Sequence, residues 1–278
     1  MTTSLEVVLI GTGSPIPDPN RAGPATLVLA GGTSLLVDCG RGVLLRCAAA
    51  GTPAAQLDAV LLTHLHSDHF TDLGDIITTQ WITTFEPTPL PLYGPGRTQE
   101  VVDGVLASLG PDIEYRLAHH DDLTERPDVP VTQLDGSESF AVGDARLTVA
   151  PTEHRPAAPS VAYRVEHAGH AVVLAGDTLP CDGLDRLCAG ADVLVHTVIR
   201  ADVIRTIPIP RLQDVCDYHS TVEQAAQTAA RNDVGRLVLT HCVPPLQPGQ
   251  ADEWQARAAE HYDGVIDVAD DLFRVSLG

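Results

Sequence analysis

Short apolar segments bounded by turn-forming residues recur along the chain, and this pattern predicts many β-strands. In AVLL at 59–62 every position is apolar, which is typical of a strand that is buried on both faces. We predict strands at 5–10, 25–30, 34–38, 59–62, 142–150, 160–166, 170–177, 191–196 and 235–241. The strand pattern therefore begins near the N-terminus and continues into the last quarter of the chain.

Helical periodicity occupies much of the sequence between these strands. We predict helices at 41–50, 70–84, 98–109, 181–190, 220–232 and 251–261. The fifth helix has a start signal, because Ser220 or Thr221 can cap it. Strands interleaved with helices in this order predict an α/β arrangement in which helices cover the sheets. No loop is long enough to act as a linker, so we predict a single domain over residues 1–278.

Charge and composition restrict the choice of partners. The chain has 17 basic and 37 acidic residues, which give a formal net charge of −20, and every basic residue is arginine. Because phosphate binding usually needs a basic patch, this balance disfavours nucleic acid and favours a small-molecule substrate. No apolar run approaches the ~20 residues that span a bilayer, so we expect no membrane partner. For assembly, a homodimer is the default expectation.

The N-terminal segment and the cysteines indicate a cellular compartment. The N-terminus lacks the basic and apolar regions of a signal peptide. The six cysteines are scattered and form no CxxC pair, which argues against a zinc ribbon or a disulfide scaffold. These features predict a reduced, cytoplasmic protein.

The segment THLHSDHF at 63–70 is the strongest chemical signal in the sequence. Single histidines are usually surface or hydrogen-bonded core residues, but three imidazoles and a carboxylate in one turn have little packing value. Further donors directly follow predicted strands, where ligand sites of open α/β sheets lie. Imidazole and carboxylate are the ligands that zinc prefers when cysteine is not used. The candidate ligands are His64, His66, Asp68, His69, His154, Asp177 and His241.

These motifs, in this order, resemble those of the metallo-β-lactamase superfamily over essentially the whole chain. The resemblance implies an αββα sandwich, in which two mixed β-sheets are flanked by helices, with a dinuclear metal site at one edge. It also implies that one metal is held by His64, His66 and His154 and the other by Asp68, His69 and His241. Asp177 would then bridge the pair. Two Zn²⁺ ions per chain are the first choice, with Mn²⁺ or Fe²⁺ as alternatives.

Two segments narrow the resemblance to the ribonuclease Z and arylsulfatase-like branch. They are IGTGSPIPDPNRAGPATLV at 10–28 and DYHSTVEQAAQTA at 217–229, and the branch implies a catalytic role for His219. Two departures stand out. Thr197 occupies the position of an acidic residue of ribonuclease Z that could orient His219. Little more than a hairpin joins His154 to Asp177, where bacterial ribonuclease Z carries a tRNA-gripping arm.

These observations predict a dinuclear zinc hydrolase that uses a metal-bridged hydroxide on a small ester-type substrate, with a phosphodiester or sulfate ester favoured. Asp68 would orient the nucleophile, and His219 would protonate the leaving group or stabilise charge. Three alternatives stay open. They are a lactonase or thioesterase-type hydrolase, a ribonuclease Z-like endonuclease, which the missing arm disfavours, and a non-catalytic metal-binding protein. Trp81, Phe85 and Tyr93 in the segment 78–95 could line the substrate pocket or pack on the core, and the segment 201–218 could form a lid.

Overall fold

The computed structural model describes residues 4–278, so residues 1–3 of the predicted domain lie outside the described part of the chain. The strands, in chain order, are β1 Leu5–Gly11, β2 Ala25–Ala30, β3 Thr33–Val37, β4 Ala59–Leu61, β5 Leu92–Pro95, β6 Val131–Leu134, β7 Ser139–Val142, β8 Ala145–Pro151, β9 Val161–His167, β10 His170–Leu174, β11 Val193–Ile199, β12 Arg236–Val243, β13 Val265–Val268 and β14 Phe273–Leu277. The α-helices are α1 Val43–Ala50, α2 Leu73–Thr83, α3 Thr98–His119, α4 Asp182–Cys188, α5 Ala201–Ile204, α6 Pro210–Gln213, α7 Val222–Arg231 and α8 Ala251–Ala259. Within residues 4–278, no helix is both long and apolar enough to cross a membrane.

The strands form two seven-stranded sheets. The first has the order β14-β1-β2-β3-β4-β5-β6, and the second has the order β13-β12-β11-β10-β9-β8-β7. In the first sheet β3, β4, β5 and β6 are parallel, while β1 pairs antiparallel with β2 and β14. In the second sheet β10 to β13 are parallel, and β7 to β10 run antiparallel to their neighbours. Both sheets are therefore mixed.

Alternate residues of the buried strands face two different layers. In β1, Val7 and Leu9 belong to a cluster that joins the inner faces of the two sheets. Val8, on the other face, packs with residues of α1 and α2. The outer face of the second sheet packs in the same way on α4, α7 and α8. Because both faces of the central strands are covered, they are apolar at nearly every position. The layers are helix, sheet, sheet and helix, which confirms the predicted αββα sandwich.

Several elements differ from the sequence-based expectations. The predicted strand at 142–150 is β8 with a start placed three residues too early, because Gly143 and Asp144 form the turn between β7 and β8. Helix α3 continues through Pro111 to His119, ten residues beyond its predicted end at 109. The segment after Pro111 is rich in helix formers, and an ion pair between Asp112 and Arg116 spans one turn of it. Four short strands, β5, β6, β13 and β14, carried no pattern strong enough to predict.

Helix α7 begins at a capping box directly after His219. The Thr221 side chain accepts a hydrogen bond from the Gln224 backbone, and the Gln224 side chain accepts one from the Thr221 backbone. This reciprocal pair satisfies two backbone donors that the first turn of a helix leaves free. The cap therefore fixes the position at which the chain leaves His219 and enters the helix.

We expect Thr221→Ala to lower the free energy of unfolding by about 1 kcal/mol, because it removes the side-chain half of the capping box. Urea denaturation measures the change. Thr221→Ser keeps a hydroxyl at the cap and should retain most of the stability. Equal losses in the two variants would contradict a capping role for the hydroxyl.

Candidate metal centre

The residues expected to bind metal follow the ends of strands in both sheets. His64 lies just beyond β4 of the first sheet, Asp177 lies just beyond β10 of the second sheet, and His241 lies two residues before the end of β12. The two sheets approach closely at this edge. Gly176 has a φ of +61°, and a Cβ added to it would lie 2.7 Å from the Thr63 Cβ. Glycine is required there because it alone accepts both that conformation and that contact.

The first donor group consists of His64, His66, His154 and Asp177. The Nε2 atoms of His64 and His154 each lie 3.1 Å from His66 Nδ1. His64 and His154 are fully buried, whereas His66 is half-buried at the mouth of the site. Their three ring nitrogens thus converge on one point that solvent can reach from the His66 side.

The second donor group consists of Asp68, His69 and His241. Asp68 Oδ2 lies 3.3 Å from His241 Nε2 and 3.7 Å from His69 Nε2. His241 adopts a positive φ of 50°, which is uncommon for a residue with a side chain. Such strain concentrates at functional sites, where the surrounding structure enforces it.

Asp177 lies between the two donor groups. Its Oδ2 is 3.4 Å from His69 Nε2 and 3.7 Å from His241 Nε2, on the side of the second group. The same oxygen is 3.8 Å from the Nε2 atoms of both His64 and His154, on the side of the first group. This carboxylate is therefore in the position that a shared ligand of two cations requires.

The donor geometry fits divalent cations. Zinc bonds of about 2.0–2.1 Å in a tetrahedron place neighbouring ligand atoms roughly 3.3 Å apart. The donor spacings of 3.1–3.8 Å are close to that value. His69 Nε2 and Asp177 Oδ1 are buried and make no hydrogen bond within residues 4–278. Buried polar atoms without partners are costly, and a cation would satisfy them.

Partners outside the donor groups orient three of the imidazoles. Asp38 Oδ2 lies 2.8 Å from His69 Nδ1, and Thr63 Oγ1 lies 3.1 Å from His64 Nδ1. The backbone carbonyl of Tyr218 lies 2.9 Å from His154 Nδ1. Such contacts set the tautomer and leave Nε2 free for a metal. Asp38 was not among the predicted site residues, although its position directly after β3 was a usable signal.

The protonation of the site follows from these contacts. Burial lowers the pKa of His64 well below its ordinary value and that of His154 to about 4, so both are neutral. Burial alone would raise the pKa of Asp177, but His241 and His69 hold it well below its ordinary range. Burial opposes a charge on His69 as well, yet Asp177 and Asp38 raise the pKa of this imidazole well above its ordinary value. A cation that binds here would displace the His69 proton.

His219 also reaches the site. Its Nε2 lies 3.2 Å from Asp177 Oδ2, and its Nδ1 lies 3.0 Å from the Val215 carbonyl oxygen. The departure at Thr197 is therefore compensated by a backbone group, since the Val215 carbonyl takes the orienting role. Thr197 itself donates to the Gly176 carbonyl and supports the loop of Asp177.

Two of the aromatic residues at 78–95, and the buried Arg200, are engaged by partners that are not donors of the metal centre. Trp81 is buried and donates its Nε1–H to the Glu125 carbonyl, while Tyr93 stacks on Phe140 at 4.7 Å. Trp81 and Tyr93 therefore pack on the core, whereas Phe85 is 91% exposed; Trp81 and Phe85 border a separate cavity of about 330 Å³. Arg200 is buried in ion pairs with Asp202 and Glu253, so it is not free to meet a substrate.

We expect Asp38→Asn to weaken metal binding by about 10- to 100-fold, because it removes the charge that orients His69. Asparagine suits the test, since it tolerates the positive φ of 60° at this position. Competition with a chromogenic chelator measures the affinity, and urea denaturation reports any loss of stability. Asp144→Asn, which alters an exposed carboxylate bonded to the Gly32 N–H, is the matched control. Unchanged affinity in Asp38→Asn would contradict the orienting role.

The buried His196 makes the free energy of unfolding depend on pH. Burial lowers its pKa to about 4, while the unfolded chain has the ordinary value near 6.5. Below about pH 6.5 the imidazole is protonated in the unfolded state but stays neutral in the folded state. The free energy of unfolding therefore decreases as the pH is lowered. We expect the wild type to lose about 3 kcal/mol more than His196→Gln between about pH 7 and about pH 4.

Urea denaturation in the presence of a chelator measures this difference without interference from metal release. Parallel pH profiles in the two proteins would show that His196 is protonated in the folded state.

Curated relatives match the chain along nearly its whole length. The ribonuclease Z of Mycolicibacterium gilvum (strain PYR-GCK) is 56% identical over 275 residues, which cover 98% of this chain and 96% of the relative. The ribonuclease Z of Mycolicibacterium paratuberculosis (strain ATCC BAA-968 / K-10) is 58% identical over 275 residues and covers 98% of both chains.

This similarity shows that our prediction of partners was wrong. We expected a small-molecule substrate and disfavoured nucleic acid, but relatives at 56% and 58% identity carry the name of a ribonuclease. The net charge of −20 is a sum over the whole chain, whereas phosphate binding depends on the local potential at the site. The missing arm did not exclude similarity to such proteins, because these relatives align with the chain over 96% and 98% of their own length.

Solved structures and a family model give the same assignment of fold. The metallo-beta-lactamase fold protein YhfI from Bacillus subtilis superposes with a TM-score of 0.78 at 23% identity, covering 99% of this chain and 100% of that one. The short form of human tRNase Z gives a TM-score of 0.69 at 22% identity, with 98% and 99% coverage. Residues 33–242 match the family described as the beta-lactamase superfamily domain. The chain is thus a hydrolase of the metallo-β-lactamase fold and belongs to the beta-lactamase superfamily, among relatives named ribonuclease Z.

Proposed function

We propose that this protein is a metal-dependent endoribonuclease of the ribonuclease Z type, which hydrolyses a phosphodiester bond in a tRNA precursor with a 3′ extension. The observation that carries the proposal is the identity of 56% and 58% to proteins named ribonuclease Z over 98% of this chain. The donor set supports it, because phosphodiester hydrolysis at paired metal ions needs two adjacent donor groups with a shared carboxylate. The described chain acts as one catalytic domain.

The proposed ligands are those of the two donor groups. His64, His66 and His154 would hold one divalent cation, and Asp68, His69 and His241 would hold the other. Asp177 would be the shared ligand, and Zn²⁺ is the first choice of metal because the donors are mainly imidazoles. When bound, such a pair of ions supplies a water of lowered pKa and charge stabilisation at the phosphoryl group.

Asp68 orients the attacking water. Its Oδ2 faces His241, while its Oδ1 makes no hydrogen bond within residues 4–278. Burial would raise the pKa of this carboxyl, but the hydrogen bond from His241 keeps it below its ordinary value. The free oxygen of an ionised carboxylate can accept a hydrogen bond from water, which fixes the direction in which the water attacks.

His219 supplies a proton to the leaving oxygen. The Val215 carbonyl can only accept, so the Nδ1 of His219 must carry a hydrogen. Burial opposes a charge on this ring, but the hydrogen bond to Asp177 raises its pKa above the ordinary value. The raised pKa favours the form of His219 that carries hydrogens on both nitrogens, and its Nε2–H then points into the site as a donor. It serves as general acid toward the ribose oxygen that departs.

We expect His219→Ala to lower kcat for cleavage of a tRNA precursor by about 10²- to 10⁴-fold, because it removes the general acid. The metal content should stay unchanged, since His219 belongs to neither donor group. Gel analysis of a labelled precursor and elemental analysis of the protein provide the two measurements.

His120→Ala, which removes an exposed imidazole in the turn after α3, is the matched control and should cleave at the wild-type rate. A wild-type protein that cuts no tRNA precursor when supplied with Zn²⁺ or Mn²⁺ would overturn the proposed function. A His219→Ala variant of wild-type rate would overturn only the general-acid role.

A further inference from the structure

An aromatic side chain lies directly beside the candidate metal centre. Tyr218 precedes His219 and is half-buried. Its ring centroid lies 5.3 Å from that of His154, with an angle of 74° between the planes, and 4.7 Å from that of His219. The ring therefore contacts one proposed metal ligand and the proposed general acid at the same time.

No other Phe, Tyr or Trp within residues 4–278 makes a ring contact with the imidazoles of the site. Tyr163 is fully buried and donates its hydroxyl hydrogen to the Leu62 carbonyl, which makes it part of the core. Trp254 lies beneath Arg200. The Tyr218 hydroxyl, by contrast, has no hydrogen-bond partner in the described chain, and the residue is only half-buried. A substrate that enters the site can contact this surface.

The backbone around Tyr218 is held in place. Its carbonyl oxygen lies 2.9 Å from His154 Nδ1. Two residues on, the Ser220 N–H donates to the Thr178 carbonyl, and the Ser220 carbonyl accepts from the Ile199 N–H. The ring is thus presented from a fixed backbone, so little conformational entropy is lost when a substrate group packs on it.

The surroundings of Tyr218 favour an uncharged aromatic partner. Asp214 and Asp217 are exposed in the same segment, and their charges would repel a phosphate. A nucleobase carries no charge, and every base has a π-face that can stack on an aromatic ring. Because Tyr218 contacts His154 and His219, a base stacked on it belongs to a nucleotide close to the bond that is cut.

We propose that Tyr218 is a specificity-determining residue that stacks on the base of a nucleotide adjoining the scissile phosphodiester. The inference rests on the proposed ribonuclease function. It adds a contact that distinguishes a nucleic acid from phosphodiesters that carry no base, without selecting one base, since stacking tolerates all four.

The test compares a tRNA precursor with versions that carry an abasic nucleotide immediately before or immediately after the cleaved bond. With the complete precursor, Tyr218→Ala should lower kcat/KM by about ten- to a hundred-fold, the effect typical of a lost base–aromatic stack. One of the two abasic precursors lacks the base that stacks on Tyr218. With that precursor, the kcat/KM values of the wild type and Tyr218→Ala should differ by less than about two-fold. Tyr218→Phe keeps the ring and should retain most of the activity on the complete precursor.

Controls separate stacking from structural damage. Tyr218→Ala retains the backbone carbonyl that contacts His154, and elemental analysis checks that its metal content is unchanged. Tyr115→Ala, which removes a ring that is 72% exposed on α3, should behave as the wild type on every substrate. An equal loss on complete and both abasic precursors, or no loss on any, would refute the stacking role while leaving the ribonuclease function intact. A wild-type protein that cleaves no precursor would overturn both proposals.

Discussion

The carboxylate of Asp177 is the constraint on which the site depends. It is a buried negative charge whose Oδ2 lies 3.2–3.8 Å from the Nε2 atoms of five histidines. A buried charge is tolerated only when positive groups compensate it. Protonated imidazoles can compensate the negative charge of Asp177, and so can bound cations. The five imidazoles come from four separate parts of the chain, so this one side chain brings distant segments into a common electrostatic field.

The layered fold could be predicted from the sequence, and the residues proposed as metal donors could be selected from it, because both leave strong local patterns. Four donors lie in one short turn, and the others follow apolar strands, so their types and positions indicate one site. The strands in the centre of each sheet were predictable because both of their faces are buried. The short edge strands β13 and β14 were not, since they are partly exposed and have only four and five residues.

Two kinds of feature could not be predicted from the sequence. They are the contacts made by backbone carbonyl groups and the local charge at the site, which the net charge of the whole chain does not reveal. The carbonyl groups of Val215 and Tyr218 orient His219 and His154, yet every residue has a carbonyl, so no residue type marks these contacts. The acidic residue missing at Thr197 suggested an incomplete site, and the fold supplies a neutral acceptor in its place. The whole-chain charge was misleading in a related way, because it averages a surface on which only a small region meets the substrate.

The close approach of Gly176 to Thr63 links the spacing between the sheets to the spacing between the donors. Thr63 precedes His64 and also accepts, through its carbonyl oxygen, a hydrogen bond from Val161 of the second sheet. Any side chain at position 176 would press on Thr63, the residue that directly precedes His64. The distance between the two sheets is therefore constrained at this point. If the sheets moved apart here, His64 next to Thr63 and Asp177 next to Gly176 would move apart as well.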